Sequence, residues 1–97
     1  MNKFTYEERK QIYDAALGKW GAKMQATVAI EEMSEVIKEI TKMLRGELNR
    51  EHMAEEIADA TIMLEQVRLI FNLNDLVCEK MDEKVQRLDD KLKGESA

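Results

Sequence analysis

The sequence predicts an all-α protein arranged as a four-helix array. The 97 residues include no proline and only four glycines, so few positions interrupt a helix. Strong helix formers make up much of the remainder, and apolar residues recur every three or four positions over long stretches. Both features are typical of amphipathic helices packed against one another.

The first two predicted helices follow from a cap, a break and a stop. Thr5 and Glu8 have the spacing of a capping box, which opens a helix running to about residue 17. Three residues then interrupt the helical pattern: Gly18, Trp20 and Gly21. A second helix is predicted from about residue 23 to about 44, and Gly46 is placed to end it.

The last two predicted helices are separated by a pair of asparagines. Asn49 is positioned to cap a third helix that extends to about residue 71. Asn72 and Asn74 mark the next turn, and a fourth helix follows from about residue 75 to about 92. We therefore expect a single domain over residues 1–97, with polar tails at 1–4 and 94–97.

Helical periodicity assigns an apolar stripe to each of the last three predicted helices. In the second helix the stripe consists of Ala26, Ile30, Met33, Ile37, Ile40 and Leu44. In the third it consists of Met53, Ile57, Ala60, Thr61, Leu64 and Phe71, and in the fourth of Met81, Val85, Leu88 and Leu92. We expect these stripes to form the core.

Composition and charge exclude several classes of protein. A net charge of −5 argues against a general nucleic-acid binder, because phosphate backbones attract an excess of Lys and Arg. No apolar run approaches the roughly 20 residues that span a bilayer, and the polar N-terminus lacks a signal-peptide core. Cys78 is the only cysteine, so an internal disulfide is impossible. These features favour a cytoplasmic protein without a membrane partner.

Acidic residues crowd one flank of the second helix and one side of the third. In the second helix Gln25, Glu32, Glu35 and Glu39 follow that flank, with Glu31 one turn from Glu35. In the third helix Glu56 and Asp59 share a side with Met63 and Ile70, which indicates that the pair is partly enclosed.

Two acid pairs with i, i+3 spacing can converge if these helices pack antiparallel. Four enclosed carboxylates must be protonated or neutralised by cations. Ligands that are all oxygen select a hard ion, Mg²⁺ or Mn²⁺, over zinc or copper. The alternative is that they are ordinary solvated glutamates of an acidic protein.

The two acidic stretches together carry a family resemblance. "EEMSE" at 31–35 followed by "EIAD" at 56–59 resembles the EExxE…ExxD signature of the MazG-like all-α nucleoside triphosphate pyrophosphohydrolases, which are related to dimeric dUTPases and dCTP pyrophosphatases. The resemblance covers about residues 20–88, including "KMDEKVQRL" in the fourth helix. It implies Mg²⁺-dependent cleavage of a nucleoside triphosphate between its α- and β-phosphates, giving monophosphate and pyrophosphate.

The resemblance also assigns roles to residues. The metal ligands that match the signature are Glu32, Glu35, Glu56 and Asp59. Lys84 and Arg87, and then Lys80, are the matching candidates for binding the triphosphate. From the residues alone, these cations form a flank of the fourth helix that suits either phosphate binding or a solvated basic stripe.

Catalytic and base-binding roles stay open between alternatives. Glu31 and Glu35 are both candidates to orient or deprotonate the attacking water. Trp20 and Gln25 are candidates to stack on and hydrogen-bond a nucleobase, although Trp20 also suits a packing residue at a helix junction. Asn72 and Asn74 suit a pyrimidine edge less well than they suit helix capping. His52, the only histidine, is expected to be a surface residue of the first turn of its helix.

Assembly and a competing function complete the predictions. Ile62, Leu69 and Ile70 lie away from the main stripe of the third helix, more apolar surface than one short chain readily covers. The family resemblance implies a homo-oligomeric bundle, and we expect a tetramer rather than a dimer. The alternative function is a non-catalytic helical interaction or oligomerisation module, which explains the apolar seams but not the enclosed acids.

Overall fold

The computed structural model describes residues 3–95, and that part of the chain folds into three helices without a strand. Helix α1 spans Tyr6–Leu44, α2 spans Arg50–Ile70 and α3 spans Asn74–Glu95. The all-α prediction is confirmed, whereas the predicted four-helix array is wrong, because the first two predicted helices are joined in α1. The expected polar tails fall partly outside the described residues, at 1–2 and 96–97.

The predicted break inside α1 is reduced to one residue. Gly21 has φ +84° and ψ 160°, a backbone conformation that essentially only glycine adopts. Gly18 and Trp20 remain helical, because a glycine inside a helix costs only about 1 kcal/mol relative to alanine and does not by itself end the helix. The two halves of α1 are therefore joined by a kink instead of a loop.

Side-chain caps fix where α1 and α2 begin. Thr5 Oγ1 accepts a hydrogen bond from the Glu8 backbone N–H (3.1 Å), and the Thr5 N–H donates to Glu8 Oε1 (2.8 Å). Asn49 Oδ1 accepts from the His52 N–H at 3.0 Å. The predicted capping box and the predicted asparagine cap are both confirmed.

Both turns after the first two helices use a left-handed residue. Gly46 (φ +81°) and Asn72 (φ +52°) donate their N–H groups to Met43 O (3.0 Å) and Leu69 O (3.2 Å). The next N–H in each turn reaches the carbonyl one residue earlier, at 2.9 and 2.8 Å, which completes a Schellman motif. Asn72 thus ends α2, in agreement with the capping alternative.

Helices α1 and α2 form a hairpin whose contact face differs from the predicted core. The residues buried on that face are Gln25, Ala29 and Glu39 of α1 and Ala60, Met63 and Gln66 of α2. Each of these buried α1 residues comes one position before a residue of the predicted stripe. The contact face is therefore rotated by about 100° about the helix axis from the predicted one. In α2 the acid side, shared with Met63, faces α1. The predicted core stripe of α1 is therefore wrong.

Most of the predicted stripes lie on the surface of the protomer. Ile30 is 63% exposed and Ile37 is 65% exposed. The same holds, to differing degrees, for Met33, Ile40, Leu44, Ile57, Leu64, Phe71, Met81, Val85, Leu88 and Leu92. The radius of gyration is 16.5 Å, against about 13 Å for a compact domain of this length. A protomer of this shape leaves much of its apolar surface in solvent.

Helix α3 extends away from the hairpin. Within residues 3–95 it makes no contact with α1 and few with α2, and every described side chain from Cys78 to Gly94 is exposed. The guanidinium of Arg68 donates to Cys78 Sγ at 3.2 Å near the connecting turn. None of the helices, over the residues described, is both long and apolar enough to cross a membrane.

Candidate metal centre

Three carboxylates from two helices meet at the seam between α1 and α2. Glu32 of α1 and Glu56 and Asp59 of α2 each place one oxygen within 4.8 Å of the others. We call these three residues the acid cluster. Glu32 and Glu56 are partly buried, whereas Asp59 is exposed, so the cluster opens to solvent on the side of Asp59.

The charges of the acid cluster oppose one another. Desolvation raises the pKa of the Glu32 carboxyl, and the negative charges of Asp59 and Glu56 raise it further. Glu35 and Glu31 add smaller effects of the same sign. A cation bound among these groups would relieve the repulsion.

The two remaining predicted acids, Glu31 and Glu35, lie outside the acid cluster. Glu35, predicted as a ligand, is exposed and lies outside the acid cluster, although it is close enough to act on Glu32. Glu31, the other candidate for activating water, is also exposed. Three of the four predicted ligands are therefore brought together, and both candidate bases lie beside them towards solvent.

A histidine connects the acid cluster to a buried glutamate that the predictions left without a role. Glu39, two turns after Glu32 on α1, is 2% exposed. Its Oε1 lies 3.1 Å from His52 Nδ1, and its Oε2 lies 3.4 Å from Lys42 Nζ. His52 Nε2 in turn lies 3.3 Å from Glu56 Oε1. Heptad spacing from Glu32 and i, i+4 spacing to Glu56 were the available sequence signals.

A groove along the same seam brings the two candidate base-binding residues together. Its volume is about 450 Å³, and Trp20, Gln25, Met63 and Gln66 contribute to its walls. Trp20 is 54% exposed, so one part of the indole packs at the helix junction and the rest faces solvent, which leaves both alternatives for this residue open. Gln66 is 7% exposed, and its buried Oε1 has no hydrogen-bond partner among residues 3–95. The predictions did not include Gln66, which lies two turns after Asp59.

The predicted phosphate-binding cations are not packed against the acid cluster. Lys80, Lys84 and Arg87 are exposed on α3, the helix that does not contact α1 within the described part of the chain. Lys80 Nζ pairs with Glu83 Oε2 at 3.2 Å. Within one protomer these cations form a solvated stripe.

The donor set suits a hard divalent ion. Three carboxylates supply only oxygen atoms, the ligands that Mg²⁺ and Mn²⁺ take in proteins. Because Asp59 is exposed, this side of the acid cluster is open to water, which Mg²⁺ usually keeps in its coordination sphere.

Comparisons with known proteins add no assignment. No protein-family model matches the chain, and no significant match to it was found among curated proteins or solved structures.

Proposed function

We propose that the protein is a Mg²⁺-dependent nucleoside triphosphate pyrophosphohydrolase, with Mn²⁺ able to replace Mg²⁺. The observation that carries the proposal is the acid cluster. A hairpin that turns Glu32 and Glu56 inward while leaving Ile30 and Ile37 in solvent reverses the usual arrangement of polar and apolar residues. A bound cation would offset the electrostatic cost of that reversal.

The groove lined by Trp20, Gln25, Met63 and Gln66 supports a nucleotide as the substrate. Gln25 precedes Glu32 by seven residues on α1, and Gln66 follows Asp59 by seven residues on α2. Seven residues of helix rise about 10.5 Å. The groove therefore lies along the seam at a distance that a nucleoside spans when its phosphates are near the acid cluster. The indole of Trp20 offers a stacking surface there.

The residues favour direct attack by water over a covalent intermediate. The hydroxyl groups of Ser34 and Thr61 donate to carbonyls of their own helices, at 2.9 and 2.7 Å, and among the described residues neither hydroxyl is hydrogen-bonded to a histidine. The chemistry that a bound Mg²⁺ supplies is polarisation of a phosphate and acidification of water. Glu32, Glu56 and Asp59 would hold the ion, and Glu31 or Glu35 would orient the water from the solvent side.

Oligomerisation is part of the proposal. Lys84 and Arg87 are exposed on α3, and among residues 3–95 that helix does not pack against α1, so a triphosphate bound by both groups requires α3 to approach a cluster from a second copy. The exposed apolar stripes of α1 and α3 provide the surface for that association. We propose a homo-oligomer, a tetramer rather than a dimer, acting in the cytoplasm without a nucleic-acid or membrane partner.

The experiment is a panel of deoxynucleoside and ribonucleoside triphosphates assayed for pyrophosphate release with Mg²⁺ or Mn²⁺. Asp59→Asn should abolish turnover and leave the fold intact, because the exposed amide has the same volume but cannot act as an anionic ligand. Glu55→Gln, an exposed neighbour, is the control and should retain activity. Full activity in Asp59→Asn would refute the proposed site.

The exposed apolar stripes also suit the second candidate, a non-catalytic oligomerisation module. Isothermal titration with Mg²⁺ separates the two, because such a module has no reason to bind the ion at micromolar to low-millimolar concentrations. Oligomerisation without Mg²⁺ binding and without pyrophosphate release would favour the module.

A further inference from the structure

His52 and Glu39 form a bridge that reaches one member of the acid cluster. The two nitrogens of one imidazole ring lie 3.1 Å from Glu39 Oε1 and 3.3 Å from Glu56 Oε1. Glu39 belongs to α1 and Glu56 to α2, so the ring, when both of its nitrogens carry a proton, can donate to a carboxylate of each helix. We call Glu39, His52 and Glu56 the histidine bridge.

The two ends of the histidine bridge differ in environment. Glu39 is 2% exposed, and its second oxygen lies 3.4 Å from Lys42 Nζ but has no hydrogen-bond partner among residues 3–95. The side chain of His52 is 43% exposed and that of Glu56 is 14% exposed. The buried carboxylate of Glu39 therefore restricts the orientation of the His52 ring. The ring in turn restricts the rotation of the Glu56 carboxylate.

Orientation of a carboxylate ligand matters for an ion that demands regular geometry. Mg²⁺ binds weakly to ligands that must give up rotamer freedom or turn away from the site. A group that holds one oxygen of a ligating carboxylate limits its rotation and leaves the other oxygen for the ion, and loss of such a partner typically costs 10- to 100-fold in affinity.

We propose that His52, held by Glu39, is a positioning residue that sets the Glu56 carboxylate for binding of a divalent cation at the acid cluster. The inference rests on the proposed function insofar as the cluster binds Mg²⁺ or Mn²⁺. It assigns His52 no contact with the nucleotide and no proton transfer. It replaces the expectation that His52 is an ordinary surface residue.

The test measures cation affinity without nucleotide. Mg²⁺ and Mn²⁺ are titrated by calorimetry into the full-length wild type, His52→Ala, Glu39→Gln and the double variant, and thermal unfolding is recorded on each protein without metal. Glu51→Ala is the matched control, since Glu51 is exposed, precedes His52 in the same helical turn and takes no part in the bridge.

His52→Ala should weaken binding of both ions by about tenfold or more. Glu39→Gln should also weaken binding, and the double variant should be no weaker than His52→Ala, because the residues act in series. Glu51→Ala should bind less than threefold differently from the wild type. The half-exposed position of His52 allows the variant to fold, and the unfolding data verify it.

Three results would overturn the inference. Unchanged affinity with a lower unfolding temperature would make His52 a helix-joining residue only, and tighter binding would make it merely a nearby positive charge. Additive losses in the double variant would show that Glu39 does not act through His52. If the wild type binds the cations but releases no pyrophosphate, the proposed function fails while the affinity comparison still decides the role of His52.

Discussion

Replacing Ile37 with glutamine should dissociate the oligomer with little effect on the fold of the protomer. Ile37 lies at the centre of the exposed stripe of α1, seven residues after Ile30 on the same face, and 65% of its surface is in solvent. Glutamine has a similar length and a good helix propensity. The substitution should therefore weaken the contact with the subunit that covers this face and leave the folding of the protomer unchanged.

The magnitude follows from the exposed fraction. Complete burial of an isoleucine side chain is worth about 1.5–3 kcal/mol, so covering the exposed two-thirds contributes about 1–2 kcal/mol per copy. In a symmetric interface the residue occurs twice, which gives about 2–4 kcal/mol for each pair of subunits. The dissociation constant should rise by about 30- to 1,000-fold.

Sedimentation equilibrium over a range of concentrations measures this change. Lys38→Gln introduces the same residue about 100° away on the helix and should leave association nearly unchanged. Pyrophosphate release should fall together with association, since the proposed site needs two copies. Equal dissociation constants for the two variants, or a fully active wild-type species of 11.3 kDa, would refute the reasoning.

Three further predictions concern the cluster, the cations and a cap. Glu32→Gln should raise the unfolding temperature of the metal-free protein at pH 7. The gain should disappear near pH 4.5, because the elevated pKa of Glu32 makes ionisation destabilise the fold from the usual value of 4.5 upward; a gain independent of pH would contradict this cause. Lys84→Ala should raise the Michaelis constant or lower turnover, whereas Lys91→Ala should change either by less than twofold; equal small effects would indicate a solvated stripe. Asn49→Ala should cost about 1 kcal/mol in urea unfolding by removing the α2 cap, and an unchanged midpoint would show that the cap is dispensable.

Local signals along the chain were sufficient for most of the helix ends and for much of the candidate site, but not for the junction inside α1. The capping box at Thr5, the Asn49 cap and the left-handed stop at Gly46 depend on residues close in sequence, so they could be predicted without the tertiary fold. The acid pairs were found for the same reason, because an i, i+3 spacing defines one side of one helix. Convergence of Glu32 with Glu56 and Asp59 required only that two consecutive helices pack together.

The tertiary structure decided which face of each helix is buried. Periodicity identified the stripe containing Ile30 and Ile37 correctly as apolar, but hydrophobicity alone does not say whether a stripe packs within the protomer or remains exposed on it. The hairpin instead uses the face of Ala29 and Ala60, where small side chains let the helices approach. That choice buries Glu39 and brings His52 between two carboxylates. Spacing places Glu39 on the flank of Glu32 and His52 one turn before Glu56, but it does not show that Glu39 is buried or that His52 meets it. Such contacts depend on the rotation of two helices about their axes, and a rotation of one residue position changes every side chain at the interface.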